Sequence, residues 1–277
     1  MNIGKLPNEY LKDRIISHFT NKRQDVITGP QIGRDCGVID YGDYLCVIST
    51  DPITAADNRL GYLGVHVSCN DIITTGADIV GITATILAPL NTEPCKMEQV
   101  AKELSTAANG LSIDVLGGHT EVTDSVSRMI LSITAIGKLT KDNYIQPSNA
   151  SEGDYIVLTK KAGIEGTAIL AYDKQEDLRQ HFPDDFILSA QNFMNYISVV
   201  PEGKIAKELK VHSMHDATEG GVLGAAWELG EAMDKGLEIY IDQIPVADET
   251  IEICGLYGID PLRLISSGCM LIVTQNP

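Results

Sequence analysis

Nowhere does this 277-residue chain run to about 18 consecutive apolar residues, so it contains no segment able to span a bilayer as a helix. The stretch from Met1 to Pro7 lacks the apolar centre of a secretory signal. Cations are scarce: 21 Lys and Arg stand against 38 Asp and Glu, a net charge of −17. Residues 1–150 carry −5 of it and residues 151–277 carry −12. No basic stripe is present, which argues against a nucleic-acid partner and against an anionic membrane surface. The six cysteines, Cys36, Cys46, Cys69, Cys95, Cys254 and Cys269, show no Cys-x-x-Cys spacing and sit mostly in apolar stretches. They read as reduced core thiols of a cytoplasmic protein rather than a disulfide framework or a zinc site. Low-complexity segments and solenoid repeats are also missing.

What is present is a globular composition, 44% hydrophobic, with length for one large or two ordinary domains. Residues 7–19 read as a short helix with Leu11, Ile15, Ile16 and Phe19 on one face. Residues 36–40 and 44–50 read as a hairpin. Residues 59–76 form a helix with Gly61, Gly64, Ser68 and Asp71 along one face and Gly76 as its stop. A strand over 79–88 precedes an amphipathic helix over 93–111, with Met97, Val100, Ala101, Leu104 and Ala108 inward. A strand over 113–116 leads into Gly117-Gly118-His119-Thr120-Glu121, and a further strand covers 128–139. The polar, turn-rich residues 141–153 separate two domains, which we set at 1–148 and 149–277. The second opens on a strand over 154–159 and a helix over 167–172. Helical segments over 173–210 are interrupted at Pro183 and Pro201. A helix over 221–234, strands over 237–241 and 269–274, and a helix over 247–256 follow. The class is α/β or α+β with two domains.

Three aspartates stand at the ends or edges of these elements. Asp35 lies in Ile32-Gly33-Arg34-Asp35-Cys36-Gly37-Val38, Asp51 closes the run Tyr44 to Thr50, and Asp71 sits in an otherwise small and apolar helix. Carboxylates are costly to bury alone, and a hard cation such as Mg²⁺ is the economical reason to gather several. Their carboxylates are expected within roughly 10 Å of one another, allowing for waters in a Mg²⁺ shell. Gly117 and Gly118 allow close approach of a phosphate to backbone N–H groups, and equally make a Gly-rich β-turn. His212 and His215 are spaced as a metal pair but have no further His or Cys to complete a zinc site. Asp216-Ala217-Thr218-Glu219-Gly220-Gly221 sets two carboxylates before a helix N-terminus, which is an anion seat or a cap.

Taken together and in order, Gly33-Arg34-Asp35-Cys36-Gly37-Val38, Thr50-Asp51, Val67-Ser68-Cys69-Asn70-Asp71-Ile72 with Gly76-Ala77, Gly117-Gly118-His119-Thr120, and Asp216-Ala217-Thr218-Glu219-Gly220-Gly221 resemble the aminoimidazole ribonucleotide synthetase superfamily. The third and last motifs look most like its hydrogenase-maturation branch, whose enzyme dehydrates a carboxamide. The resemblance implies the two-domain α/β fold of that superfamily, paired into a homodimer through the sheet of the N-terminal domain. It implies ATP in a cleft against Gly33, Asp35, Asp51, Asn70, Asp71, Gly117, Gly118, Thr120, Asp216, Glu219 and Gly220. Mg²⁺ would rest on Asp35, Asp51, Asp71 and Asp216. His119 stands where related kinases carry Asp, and imidazole suits Mg²⁺ poorly. His119 is therefore expected to face the phosphates or the acceptor as a proton carrier, with Glu121 supplying the missing carboxylate to the metal.

The function implied is ATP- and Mg²⁺-dependent activation of an oxygen or similar nucleophile by phosphoryl transfer, on an unidentified acceptor and with a protein partner if the maturation branch is the right one. The alternatives are a thiamine-monophosphate kinase-like enzyme, a selenophosphate synthetase-like enzyme, or a nucleotide-binding regulator without turnover. The superfamily continues past the strand that ends near Pro277, so a longer C-terminal part is expected.

Overall fold

The computed structural model describes residues 4–20, 22–54, 56 and 58–276. Its strands are β1 (Val26–Thr28), β2 (Gly37–Asp40), β3 (Leu45–Ile53), β4 (Asp78–Pro89), β5 (Asp114–Thr123), β6 (Ile130–Leu139), β7 (Tyr155–Leu158), β8 (Ser213–Asp216) and β9 (Met270–Thr274). Its helices are α1 (Asn8–Arg14), α2 (Leu60–Thr74), α3 (Pro94–Leu111), α4 (Ile164–Asp173), α5 (Gln175–Leu178), α6 (Asp184–Asn192), α7 (Val200–Glu208), α8 (Gly221–Met233) and α9 (Asp248–Tyr257).

The first six strands form one sheet in the order β1-β2-β3-β6-β4-β5. All its pairings are antiparallel except β4 with β5, which run parallel because α3 carries the chain across. Along β3, β4 and β6 buried residues alternate with half-buried ones. The buried set, with Val47, Ile82, Leu131, Ile133 and Ala135, lies under α2 and α3. The opposite face, with Cys46, Ile48, Leu87 and Ile136, is only half covered by this chain. Helix α3 begins at Pro94, whose missing N–H suits a first turn, and buries Val100, Leu104, Ala107 and Ala108. Ala107 takes the inward place expected of Ala101.

The second sheet, β7-β9-β8, is antiparallel throughout. Helix α8 covers one face, its Val222, Ala225 and Leu229 packing with Leu271 and Val273 of β9. The other face joins the first half: Met214, Ile164, Ala168 and Val200 belong to the same apolar core as Leu63, Val67 and Ile133. Helix α2 therefore lies between the two halves, with 14 of its 15 residues buried. A helix buried on all sides is apolar or small all round, which is how Leu60-Gly61 to Ile73-Thr74 reads.

Several elements differ from expectation. Residues 237–241 alternate like a strand, but among the described residues no neighbour pairs with them, and they run into a 3₁₀ turn at Ile241–Gln243. Strand β8, hidden in a polar-looking His-Ser-Met-His-Asp sequence, is buried at all four positions. Pro183 and Pro201 start α6 and α7 rather than break them. The N-terminal helix stops at Arg14, continues as a 3₁₀ turn and buries none of its residues. Among the described residues no helix is long and apolar enough to cross a membrane.

Candidate active site

The aspartates singled out in the sequence converge. Asp51 lies near the C-terminal end of β3, opposite Ile133 of β6. Asp71 comes from α2 and Asp216 from the end of β8. Asp35 precedes β2 and is placed by Gly33. That glycine has φ +71° and sits against the backbone of α8 at Glu228, so no side chain fits there. Asp35, Asp51, Asp71, Glu165 and Glu219 line one cavity of about 600 Å³, with Lys5 at its rim and Ile53, Leu63, Val67 and Ile169 as apolar wall.

Hydrogen bonds fix the cluster. The Ser49 hydroxyl bridges the Asp71 carboxylate at 2.5 Å and the Asp35 carbonyl at 3.0 Å. His215 sets Nδ1 3.2 Å from Asp35 Oδ2 and Nε2 3.4 Å from Glu228 Oε2. Lys5 Nζ donates to Glu228 Oε1 at 2.8 Å. Burial by itself would lower the His215 pKa; Asp35 and Glu228 overcome that and push it up to about 10. It is thus an imidazolium at neutral pH, with both ring nitrogens facing carboxylates. It serves as a counter-charge, although its ring lies within 4.8 Å of ligand atoms of both Asp35 and Asp216. Against the desolvation of its surroundings, His215 and Lys5 hold Asp35 below its ordinary value.

The other carboxylates are pushed the opposite way. Burial, then the charges of Asp51, Asp216 and Asp35, raise Asp71 well above the usual range. Burial and Asp35 raise Asp216 to about 7. Burial and neighbouring acids also raise Asp51, which shares a hydrogen bond with Asp71. Asp216 is 1% exposed, yet among the described residues neither of its carboxylate oxygens meets a donor; Asp51 Oδ2 is likewise unpartnered there. Buried, unpaired carboxylate oxygens side by side are a poor arrangement without a cation. The donor set is oxygen, which fits Mg²⁺ rather than a softer metal. Glu165, on the first turn of α4, is raised by burial to about 7, and its Oε2 accepts from the Ser267 N–H at 3.2 Å.

Other expected residues lie elsewhere or have different work. Asn70 faces away from the cavity: its Nδ2 donates to the Ile197 carbonyl at 2.9 Å and its Oδ1 accepts from the Val199 N–H at 2.8 Å. It fastens α2 to the second half, and both ends of its amide are engaged there rather than in the cavity. Glu219 stands exposed at the rim, and Gly220, φ +89°, is the N-cap of α8. Gly117, Gly118, His119, Thr120 and Glu121 form no phosphate-cradling loop. They are the middle of β5, an edge strand three places from β3 and so about 14 Å away across the sheet. Gly118 is required there because the β4 backbone at Ala84 occupies the space of a side chain. His119 Nε2 and Glu121 Oε2 lie 3.0 Å apart on one side of the strand, both exposed, and neither lines the carboxylate cavity of this chain. Ser49, Glu228, Lys5 and Glu165 were not foreseen, and His215 reads in the sequence only as half of a metal pair with His212. Only His215, adjacent to Asp216, carried any signal in the sequence.

A mixed sheet under two helices, joined through a buried helix to a second α/β half, with a carboxylate-rich cavity between them, defines a two-domain α/β enzyme class. The chain belongs to the AIR synthase-related family: residues 33–139 match the family's N-terminal domain and residues 151–277 its C-terminal domain. It is similar to a Methanocaldococcus jannaschii protein assigned to hydrogenase expression and formation, 26% identical over 278 residues, covering 99% of this chain and 81% of that one. Carbamoyl dehydratase HypE of Bradyrhizobium diazoefficiens is 21% identical over 248 residues, 87% of this chain and 70% of that one. In fold it resembles HypE in a HypE–HypF complex (TM-score 0.77, 21% identity, 96% of this chain and 84% of that). It also resembles HypE in complex with ATP (0.66, 20%, 99% and 79%) and ThiL with AMPPCP and TMP (0.73, 17%, 89% and 80%). The chain is an enzyme of this family.

Proposed function

We propose that the chain uses ATP and Mg²⁺ to activate an oxygen or similar nucleophile by phosphoryl transfer, in the manner of the HypE carbamoyl dehydratases. The observation that carries this reading is the convergence of Asp35, Asp51 and Asp71 on one cavity, with Asp216 buried within 4.8 Å of Asp35 and, among the described residues, three oxygens of Asp51 and Asp216 unpaired. The ATP complex of a structurally similar HypE supports it. Asp35, Asp51, Asp71 and Asp216 would hold the metal, which when bound offsets the negative charge of the triphosphate. His215 keeps Asp35 ionised and aimed. The Ser49 hydroxyl orients Asp71 relative to Asp35. Ile53, Leu63, Val67 and Ile169 keep water from one wall. Glu165, buried and near neutrality, is the group in the cavity suited to take the acceptor's proton.

A homodimer is part of the proposal. The half-covered sheet face and the unpaired β5 edge, with Val115, Leu116 and Val122 about half exposed, support a second copy there. His119 and Glu121 would then stand at that seam, and any part they have in the chemistry is toward the partner's cavity. The HypE–HypF complex supports a protein partner. Six free thiols suit the cytoplasm.

A second reading, direct phosphorylation of a small acceptor, draws on the fold shared with ThiL. The test is ATP turnover with Mg²⁺ and either carbamoylated thiol peptides or thiamine monophosphate. ADP formed with the first supports the dehydratase reading. Transfer to the second supports the kinase. No turnover with any acceptor, together with unaltered nucleotide binding in Asp71→Asn, overturns both.

A further inference from the structure

A second cavity, about 510 Å³, opens on the far side of Ala56, which lines both cavities. Its charge is opposite to that of the first. Arg59, Lys96 and Arg128 line it, and Glu103 is its single carboxylate among the described residues. Glu103 is already committed, accepting from the Gly61 N–H at 3.0 Å and from the Gln99 amide at 2.9 Å. Among the described residues no ion pair holds any of the three cations.

Two of them are nonetheless positioned. The Arg59 guanidinium lies over the Tyr62 ring, 4.3 Å from its centroid, with Nη1 donating to Asn195 Oδ1 at 3.4 Å. Arg128 Nη1 donates to the Thr54 carbonyl at 3.5 Å, three residues beyond Asp51 along the same chain segment. In a chain of net charge −17, three cations around one cavity with no ion-pair partner among the described residues repel one another and attract an anion. A triphosphate suits the other cavity better, because among the described residues this one has no spare carboxylate to share a divalent cation with it, and the other has several.

We propose that this cavity binds the anionic group, phosphate or carboxylate, of the acceptor substrate, and presents the acceptor's reactive end across Ala56 to the nucleotide. The proposal rests on the phosphoryl-transfer reading above.

The test is equilibrium titration of the intact chain with inorganic phosphate and separately with acetate, each without nucleotide and again with Mg²⁺ and saturating AMPPCP. Wild type is compared with Lys96→Ala and Arg128→Ala, both at exposed side chains. With the nucleotide cavity filled, one of the two anions binds wild type, and each substitution raises its Kd about 10-fold, the loss of one charge-assisted contact. The Mg²⁺–AMPPCP affinity stays within about twofold. The anion that shows the shift identifies the acceptor's group as phosphate or carboxylate. Failure of both anions to bind, displacement of the anion by Mg²⁺–AMPPCP, or equal Kd values in wild type and both variants overturns the proposal. Anion binding that weakens in both variants while AMPPCP fails to bind wild type upholds the cavity and overturns the nucleotide reading instead.

Discussion

His215 of β8 and Asp35 of the loop before β2 meet across the two halves of the chain, Nδ1 to Oδ2 at 3.2 Å. The contact keeps a cation inside an acidic cavity, and its pH dependence has a definite sign. The His215 pKa rises on folding from about 6.5 to about 10. Its contribution to stability is therefore complete below about pH 6.5 and is lost as pH rises through 10. In metal-free protein we expect His215→Gln to flatten the fall of Tm between pH 7 and 10. Parallel slopes for the two proteins would rule this out.

Asp216 behaves in the opposite functional sense. A buried carboxyl raised to about 7 keeps its proton in the folded chain after the unfolded chain has lost it, so folding free energy is lost as pH rises from about 4 to 7. Asp216→Asn should raise the Tm of the metal-free chain at pH 8 by roughly 2–4 °C, equivalent to about 1 kcal/mol in a chain of this length. The same change should lower ATP turnover at least about 100-fold. A variant both less stable and fully active would contradict the assignment.

Cation binding should titrate with the same group. Because Asp216 must lose its proton to serve as a ligand, Mg²⁺ affinity is expected to increase from pH 6 to pH 8, with proton release on binding. Calorimetry in buffers of different ionisation enthalpy measures that release, and a proton count of zero at pH 6.5 would speak against it.

Asn70 is predicted to be a fastener. Asn70→Ala orphans the Val199 N–H and the Ile197 carbonyl in a buried seam and should cost about 2–3 kcal/mol of stability. Where the variant is folded, the Kd for Mg²⁺–ATP should match wild type. A selective loss of nucleotide affinity without loss of Tm would return Asn70 to the site.

The seam between copies is checked by sedimentation. Wild type is expected to be a dimer at micromolar concentration, and Leu116→Lys on the exposed β5 edge is expected to shift it toward monomer. A monomeric wild type would overturn the dimer.

Much of the fold was legible because its elements carry strong local signals. The alternation in β4 and β6 and the Pro94 start of α3 are visible in the chain itself. Residues 237–241 misled because alternation registers a strand's side chains and says nothing of whether a neighbour offers hydrogen bonds. Strand β8 was hidden for the converse reason: Ser213, His215 and Asp216 look solvated, and only packing against α2 and α8 buries them. The aspartates were readable because a buried carboxylate needs a reason wherever it falls. Lys5 and Glu228 were not, since a pairing across 223 residues leaves no trace in spacing. The Gly117-Gly118 pair did not reveal its place in β5, because a glycine demanded by a close strand and one demanded by a phosphate look identical in sequence.

The burial of α2 on every side carries a consequence for how the chain can be divided. A cut between the two sheets leaves the first part with Leu63, Val67 and Ile73 facing water and the second with Met194, Ile197 and Val200 in the same condition. Either fragment alone would be sticky and prone to aggregate, and mixing halves from related proteins would succeed only where the residues touching α2 are transplanted with it. The chain has two sheets, and one apolar core runs between them through α2.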